Sequence, residues 1–376
     1  MRRVTASRES SAHIDSLDGL RSLGASIVLI GHTFIALSKP QALTQVVVYS
    51  PLLLLINGYG AVHMFFVLSG FVLAASADRC RDGVALGQFY VRRVFRIHPP
   101  YLIALLFAWL MSFGYESSRA AGGLTPWMLA LADVHLSPGE LWPYLLFPSE
   151  ASDQLSAAWS MKVEMIFSLA MPLMMWIARR SHWSVLLAIT AIPHVDPSLK
   201  PGFLKYAICF ATGIAIAAER QRITAWVGSL SAAGRGLFVL VTLVAFCGSS
   251  LALAHAPRLA LPISALGGAL LVVMALCVPS ANRFLSRPAL VYHGNTTYSF
   301  YLLHLPILTL GTRFISGPAS WGEAALLVGV AYVLTASLGV ASYQFVERPS
   351  IRAGNRVVRW ISARTGRAAH VSHLTS

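Results

Sequence analysis

Charge is what this sequence has least of. Only 12% of its 376 residues are Asp, Glu, Lys or Arg, about half the share a soluble domain carries to keep its surface in water. Acidic residues are the scarcest, 15 against 29 Lys+Arg, for a formal charge of +14. A soluble nucleic-acid binder spreads its basic charge over a polar surface; that surface is missing here, and no nucleic-acid partner is expected. Disorder is excluded as well, because it needs low hydrophobicity and 56% of the chain is hydrophobic. Cysteine is sparse. Cys80, Cys209, Cys247 and Cys277 lie far apart with no Cys-x-x-Cys, so they read as buried hydrophobes, and neither a disulfide framework nor a metal site is expected. No internal repeat is visible, which argues weakly against an inverted-repeat transporter.

What is present is apolar sequence in blocks of membrane length, about 17–25 residues. Ten can be read, at 17–37, 56–77, 100–114, 158–178, 182–193, 203–218, 236–254, 259–278, 298–314 and 324–346, the third and fifth short. The expectation is an all-α polytopic membrane protein of about ten transmembrane helices. Alternating the loops from a cytoplasmic N-terminus puts 22 of the 29 basic residues on the inner side and six on the outer, with Lys162 inside a span. That split obeys the positive-inside rule with both termini cytoplasmic. Residues 1–16 then form a cytoplasmic segment, 17–349 the bundle and 350–376 a basic cytoplasmic tail. A cleaved signal peptide is the other reading of the first block. Asp18, Arg21 and His32 inside it favour a retained span.

An ionisable group within a span costs about 2.5–3.5 kcal/mol at the helix centre, so each is a functional candidate. Arg21 and His32 are eleven residues apart, close to three turns, which sets them on one helix face about 16 Å apart along the axis. Imidazole suits proton transfer near neutral pH; the alternative is a histidine bonded to a neighbouring helix. Arg93 and Arg96, at i and i+3 in the run FYVRRVFRIHPPY, have a spacing suited to gripping phosphate, or to anchoring in headgroups. Ser160 and Glu164 share a face of the fourth span, which begins with Trp159. Glu164 must be paired or protonated there, with Lys162 or His32 as partner candidates. His63 and Ser69, in a stretch of small residues suited to close packing, read as helper or packed polar groups. Tyr301 and His304 lie within a turn of each other, ahead of Pro306, and a structural role is as open to them as a catalytic one. Glu347 and Arg348 read as an inner-face charge pair before a helix stop. The outer segment 115–157 mixes acidic and aromatic residues, which suits either sugar binding or an interfacial aromatic belt.

In this order LDGLRSLGASIVLIGH, GAVHMFFVLSGFVLA, FYVRRVFRIHPPY, AWSMKVEMIFSLAMP, TYSFYLLHLP and VERP run from residue 17 to 349. Together they resemble the membrane-bound acyltransferase 3 family, which includes O-antigen, exopolysaccharide, Nod-factor and macrolide O-acyltransferases. The resemblance implies a ten-helix bundle at the bacterial inner membrane. It moves an acyl group, acetyl by default, from cytoplasmic acyl-CoA as co-substrate to a hydroxyl of a cell-envelope or exported polysaccharide or glycoconjugate. It implies His32 as the essential histidine, with Arg21, Arg93 and Arg96 as coenzyme A contacts. Glu164 orients or charge-stabilises His32, and Asp18, His63, Ser69, Trp159, Ser160, Tyr301 and His304 are supporting candidates. Where the family commonly has a second acidic or polar residue and an aromatic pair after the glutamate, this chain has Met165 and Phe167-Ser168. Some members carry a further soluble hydrolase-like domain, and none is expected in a sequence that stops soon after Pro349. The rival reading is a proton-coupled transporter or flippase of a glycan or lipid precursor, which needs intramembrane His and Glu but no paired arginines.

Overall fold

Without water to satisfy backbone N–H and C=O groups, an apolar block of this length has helix as its stable form, and each of the ten blocks is helical. The computed structural model describes residues 13–113, 122–132, 137–146, 157–196, 198–199, 202–315, 317–318 and 320–365. Most of the N-terminal segment 1–16, the acidic residues Glu116, Asp133, Glu150 and Asp153 and the last residues of the tail lie outside these. In chain order the helices are α1 (Asp15–Ala36), α2 (Gln41–Val48), α3 (Leu53–Ile56), α4 (Gly58–Ala77) and α5 (Gly83–Ser112). Two short helices, α6 (Pro126–Ala132) and α7 (Trp142–Leu146), precede α8 (Ala158–Ser181), α9 (Trp183–Val195), α10 (Ala207–Ala218) and α11 (Arg220–Ser229). The chain continues through α12 (Ala232–His255), α13 (Pro257–Cys277), α14 (Pro279–Leu285), α15 (Pro288–Thr312), α16 (Trp321–Ser342) and α17 (Arg348–Arg364). Among the described residues there is no strand.

Seven of these helical stretches are long and apolar enough to cross a membrane, and α10 with α11, bent by 72°, makes up to eight. The two remaining blocks of the ten fall short for separate reasons. α9 has 13 residues, and α15 is long enough at 25 but is diluted by His293, Asn295, His304 and four threonines. Local chemistry fixes the starts. Asn57 accepts from Gly60 N to cap α4, Asp82 accepts from Val84 N and Ala85 N to cap α5, and Ser320 with Glu323 forms a capping box on α16.

Two boundaries differ from expectation. The third block proves to be the second half of α5, whose first half carries the arginine run as one continuous helix. The supposed tail is helical to Arg364 and docks on α5: Gln88 donates to Ser362 Oγ at 2.9 Å, Ser350 bonds the Phe95 carbonyl, and Gly354 lies against the Phe95 ring. An amphipathic pattern, with Gly354, Val358 and Ser362 buried and arginines outward, makes this polar stretch a packed helix. Glu347 does not pair with Arg348. It is 2% exposed, sits in a π-helical turn spanning Tyr343–Glu347, and accepts from Ser299 Oγ at 3.0 Å. The four cysteines are free, and only Cys209 is fully buried.

α4 is the most enclosed of the spanning helices, and small residues make that possible. A Cβ on Gly70 would lie 2.3 Å from the Phe210 carbonyl oxygen, and one on Gly213 would lie 2.1 Å from that of Val67. α4 and α10 therefore touch backbone to backbone. Gly294 brings α15 against α1 in the same way, where a Cβ would meet the Asp18 carbonyl at 2.1 Å. α12 and α16 instead leave Leu237, Val241, Leu326 and Val333 exposed, as lipid-facing helices do. α1 lies at the centre of the arrangement, packed on α15 and α4.

Candidate active site

The N-terminal end of α1 gathers the charged residues. Arg21 is bonded to Asp18 one turn earlier, and His13 Nε2 lies 2.6 Å from the same carboxylate. α5 contributes Arg93 and Arg96, one turn apart, and α8 contributes Glu164, which accepts from Ser69 Oγ of α4 at 2.9 Å. Glu164 stands within electrostatic reach of Arg93, Arg96 and Arg21, and Glu347 within reach of Arg96. Tyr298 of α15 donates to the Ile97 carbonyl at 2.7 Å, fastening the arginine-bearing part of α5 to the bundle. Five helices thus focus three guanidinium groups on one locus, with the carboxylates of Asp18, Glu164 and Glu347 beside them. No hydrogen bond among the described residues ties the Arg93 or Arg96 guanidinium, so their N–H forks remain free to bind an oxyanion.

The other end of α1 holds an imidazole pair. His32 Nδ1 lies 3.0 Å from His304 Nε2 of α15, with ring planes 22° apart. His304 Nδ1 bonds the Tyr301 carbonyl, and Tyr301 OH lies 2.7 Å from Ser160 Oγ of α8. On its other side His32 is stacked by Trp127 of α6, centroids 5.6 Å apart and planes 13° apart. α6 is pinned in place by main-chain bonds to the end of α1. Thr125 N donates to the Ala36 carbonyl and Ser38 N to the Gly123 carbonyl, each at 2.9 Å, and Thr125 Oγ1 reaches the Ile35 carbonyl at 2.9 Å.

The residues singled out from the sequence therefore fall into three places rather than one. Arg21, Asp18, Arg93, Arg96, Glu164 and Ser69 share the charged end; His32, His304, Tyr301 and Ser160 share the imidazole end. Glu164 is not brought to His32: its hydrogen-bond donor is Ser69 and its electrostatic partners are arginines, because it lies one turn beyond Ser160 towards the charged end of α8. His63 and Trp159 belong to a third cluster. His63 is 1% exposed, with Nδ1 2.9 Å from Ser264 Oγ and its ring between Tyr59 and Tyr206; Trp159 tilts onto the same Tyr206. This is a packed polar group in an aromatic nest. Trp127 was not visible from spacing, and its one signal was membership of the aromatic-rich segment 115–157. Among the described residues no three His, Cys, Asp or Glu side chains gather as metal ligands would.

This architecture has relatives. An acyltransferase domain family matches residues 14–343. The acyltransferase MdmB of Streptomyces mycarofaciens is 26% identical over 374 residues, covering 90% of this chain and 92% of that protein. Nodulation protein 10 of Rhizobium leguminosarum bv. viciae is 25% identical, covering 94% and 97%. The exopolysaccharide production protein ExoZ of Rhizobium meliloti (strain 1021) is 28% identical, covering 83% and 95%. No solved structure matches the chain. With the domain matched along most of its length and both ends of α1 carrying polar clusters, the chain belongs to this acyltransferase family and is a multi-pass membrane enzyme rather than a transporter.

Proposed function

We propose that the protein is an O-acyltransferase of a bacterial inner membrane. It moves an acyl group, acetyl by default, from cytoplasmic acyl-CoA to a hydroxyl of a cell-envelope or exported polysaccharide or glycoconjugate. The observation that carries this reading is the layout of α1. At its charged end α1 sets Arg21 beside the unbonded Arg93 and Arg96 of α5, and about 16 Å from Arg21 along its axis it carries the reachable imidazole of His32, the two functions a polyanionic donor and a neutral hydroxyl require. The polysaccharide acceptor draws on the name of the exopolysaccharide production relative.

In this reading the donor's phosphates dock on Arg93 and Arg96, with Arg21 at the entry, and the pantetheine arm runs along α1 towards His32. The guanidinium forks suit phosphate because each can give two parallel charge-assisted bonds. Glu164, fixed by Ser69, and Glu347, fixed by Ser299, offset the mutual repulsion of the arginines and let them stay close together. At the other end the acceptor oxygen attacks the thioester carbonyl carbon while His32 takes its proton. The new C–O bond forms, the C–S bond breaks, and the departing thiolate recovers that proton as coenzyme A thiol.

The test is thiol release in membranes given acetyl-CoA, with and without extracted surface glycan. Acceptor-dependent release that is abolished in His32→Ala, at unchanged membrane insertion, is the expected result. Full acylation by that variant would sink the proposal.

A further inference from the structure

We infer that His304 is a positioning residue that sets the tautomer of His32, so that His32 Nε2 is the atom that accepts the proton. A carbonyl offers only lone pairs, so the His304 Nδ1 that bonds Tyr301 O must carry the hydrogen. In a neutral ring the other nitrogen, Nε2, is then an acceptor. His32 Nδ1, 3.0 Å away, must in turn donate to it. The one lone pair left in the pair is on His32 Nε2. His304 is 1% exposed and has no carboxylate among its described partners, a setting in which a neutral ring costs least.

Burial gives the same direction independently. His304 is sealed within α15, whereas His32 is half-buried. The Nε2 atoms of His63 and His293 are enclosed without a partner; that of His32 is not. A substrate can therefore reach the member of the pair that holds the free lone pair, and only that member. The assembly is also braced. Ser160 fixes the Tyr301 hydroxyl, and Trp127 covers the far face of His32, leaving little rotation by which the bond could be lost. The logic is that of a base oriented by a third group, with a main-chain carbonyl where a carboxylate more often stands.

The assignment of the proton acceptor rests on the acyl-transfer reading; the tautomer relay does not, and the experiment separates them. His304→Leu removes the acceptor at similar volume, while His304→Gln keeps an oxygen that can reach His32 Nδ1. With acetyl-CoA and glycan acceptor, His304→Leu should lower kcat by about 100-fold with KM for acetyl-CoA unchanged, and His304→Gln should recover most of it. In parallel, diethyl pyrocarbonate labelling of membranes, read by peptide mass, should modify His32 and spare His304, with His32 labelling slowed several-fold in His304→Leu and restored in His304→Gln. Labelling of His304 before His32, or equal loss in the Leu and Gln variants, overturns the inference. The predicted labelling pattern without any acyl transfer overturns the functional reading and leaves the relay standing.

Discussion

The two ends of α1 are built by opposite means. At the charged end the groups are long, flexible and held by other charges across five helices, and the arginine forks stay open. At the imidazole end the groups are short and close-packed, linked one to the next at hydrogen-bond distance, with a ring on either side of His32. The difference matches the tasks assigned to them. Phosphate binding tolerates adjustment because Coulomb attraction is long-ranged in a poorly hydrated site. Proton transfer does not, because it needs heavy atoms within about 2.6–3.2 Å. One end is a receptor and the other a fixture.

That contrast breaks most sharply in kinetics. His32→Ala should cost kcat about a thousandfold or more, at the upper end for a lost general base, with little change in KM for acetyl-CoA. Arg93→Ala should do the reverse. A lost charge-assisted hydrogen bond is worth about 1.5–3 kcal/mol, so KM for acetyl-CoA should rise by about 10- to 150-fold while saturated turnover survives. The double variant with Arg96→Ala should bind no donor detectable by titration. If either substitution produced the other's signature, the division of labour between the two ends would be wrong.

How much of this the amino-acid order reveals depends on whether the information is local. The spans are legible because bilayer thickness imposes a length, and the apolar blocks have it. Arg21 with His32, and Arg93 with Arg96, are legible because helical spacing alone puts each pair on one face. Glu164 marks where locality ends. Its presence in a span flags it, yet whether it faces the arginines or the histidine depends on how α8 rotates against α4, and Ser69 decides that. Trp127 is further out of reach. Nothing in its neighbourhood points to His32, and its position follows from main-chain bonds between residues about 90 apart in sequence. α17 misleads for another reason. Its mean polarity reads as a tail, while its one apolar face finds a partner in α5.

Ser69→Ala tests the receptor end more gently than losing an arginine. It removes the one hydrogen bond that fixes Glu164 among the described residues but leaves the carboxylate, which is free to swing onto Arg93 and compete with phosphate. The expected result is a rise of about 5- to 10-fold in KM for acetyl-CoA, within the worth of one bond to a charged group, with kcat unchanged. Titrating donor affinity against ionic strength checks the cause, since competition by Glu164 should weaken as salt screens it.

The smallest expected effects lie at the fixture's outer brace. Trp127→Ala removes a stacked ring worth about 0.5–1.5 kcal/mol, which predicts a loss of roughly 2- to 10-fold in kcat with the donor KM untouched. Thr125→Val removes the side-chain bonds to the Ile35 and Ala36 carbonyls and the long bond from Met128 N but keeps the main-chain bond to Ala36, so its effect should be smaller again, about 2-fold. If Thr125 acts only by placing Trp127, the double variant should lose no more than Trp127→Ala alone, because a bond that positions a missing ring has nothing left to position. Additive losses would mean that the clamp from Thr125 to α1 steadies His32 directly, through the last turn of its own helix, and that the tryptophan is a cover rather than a brace.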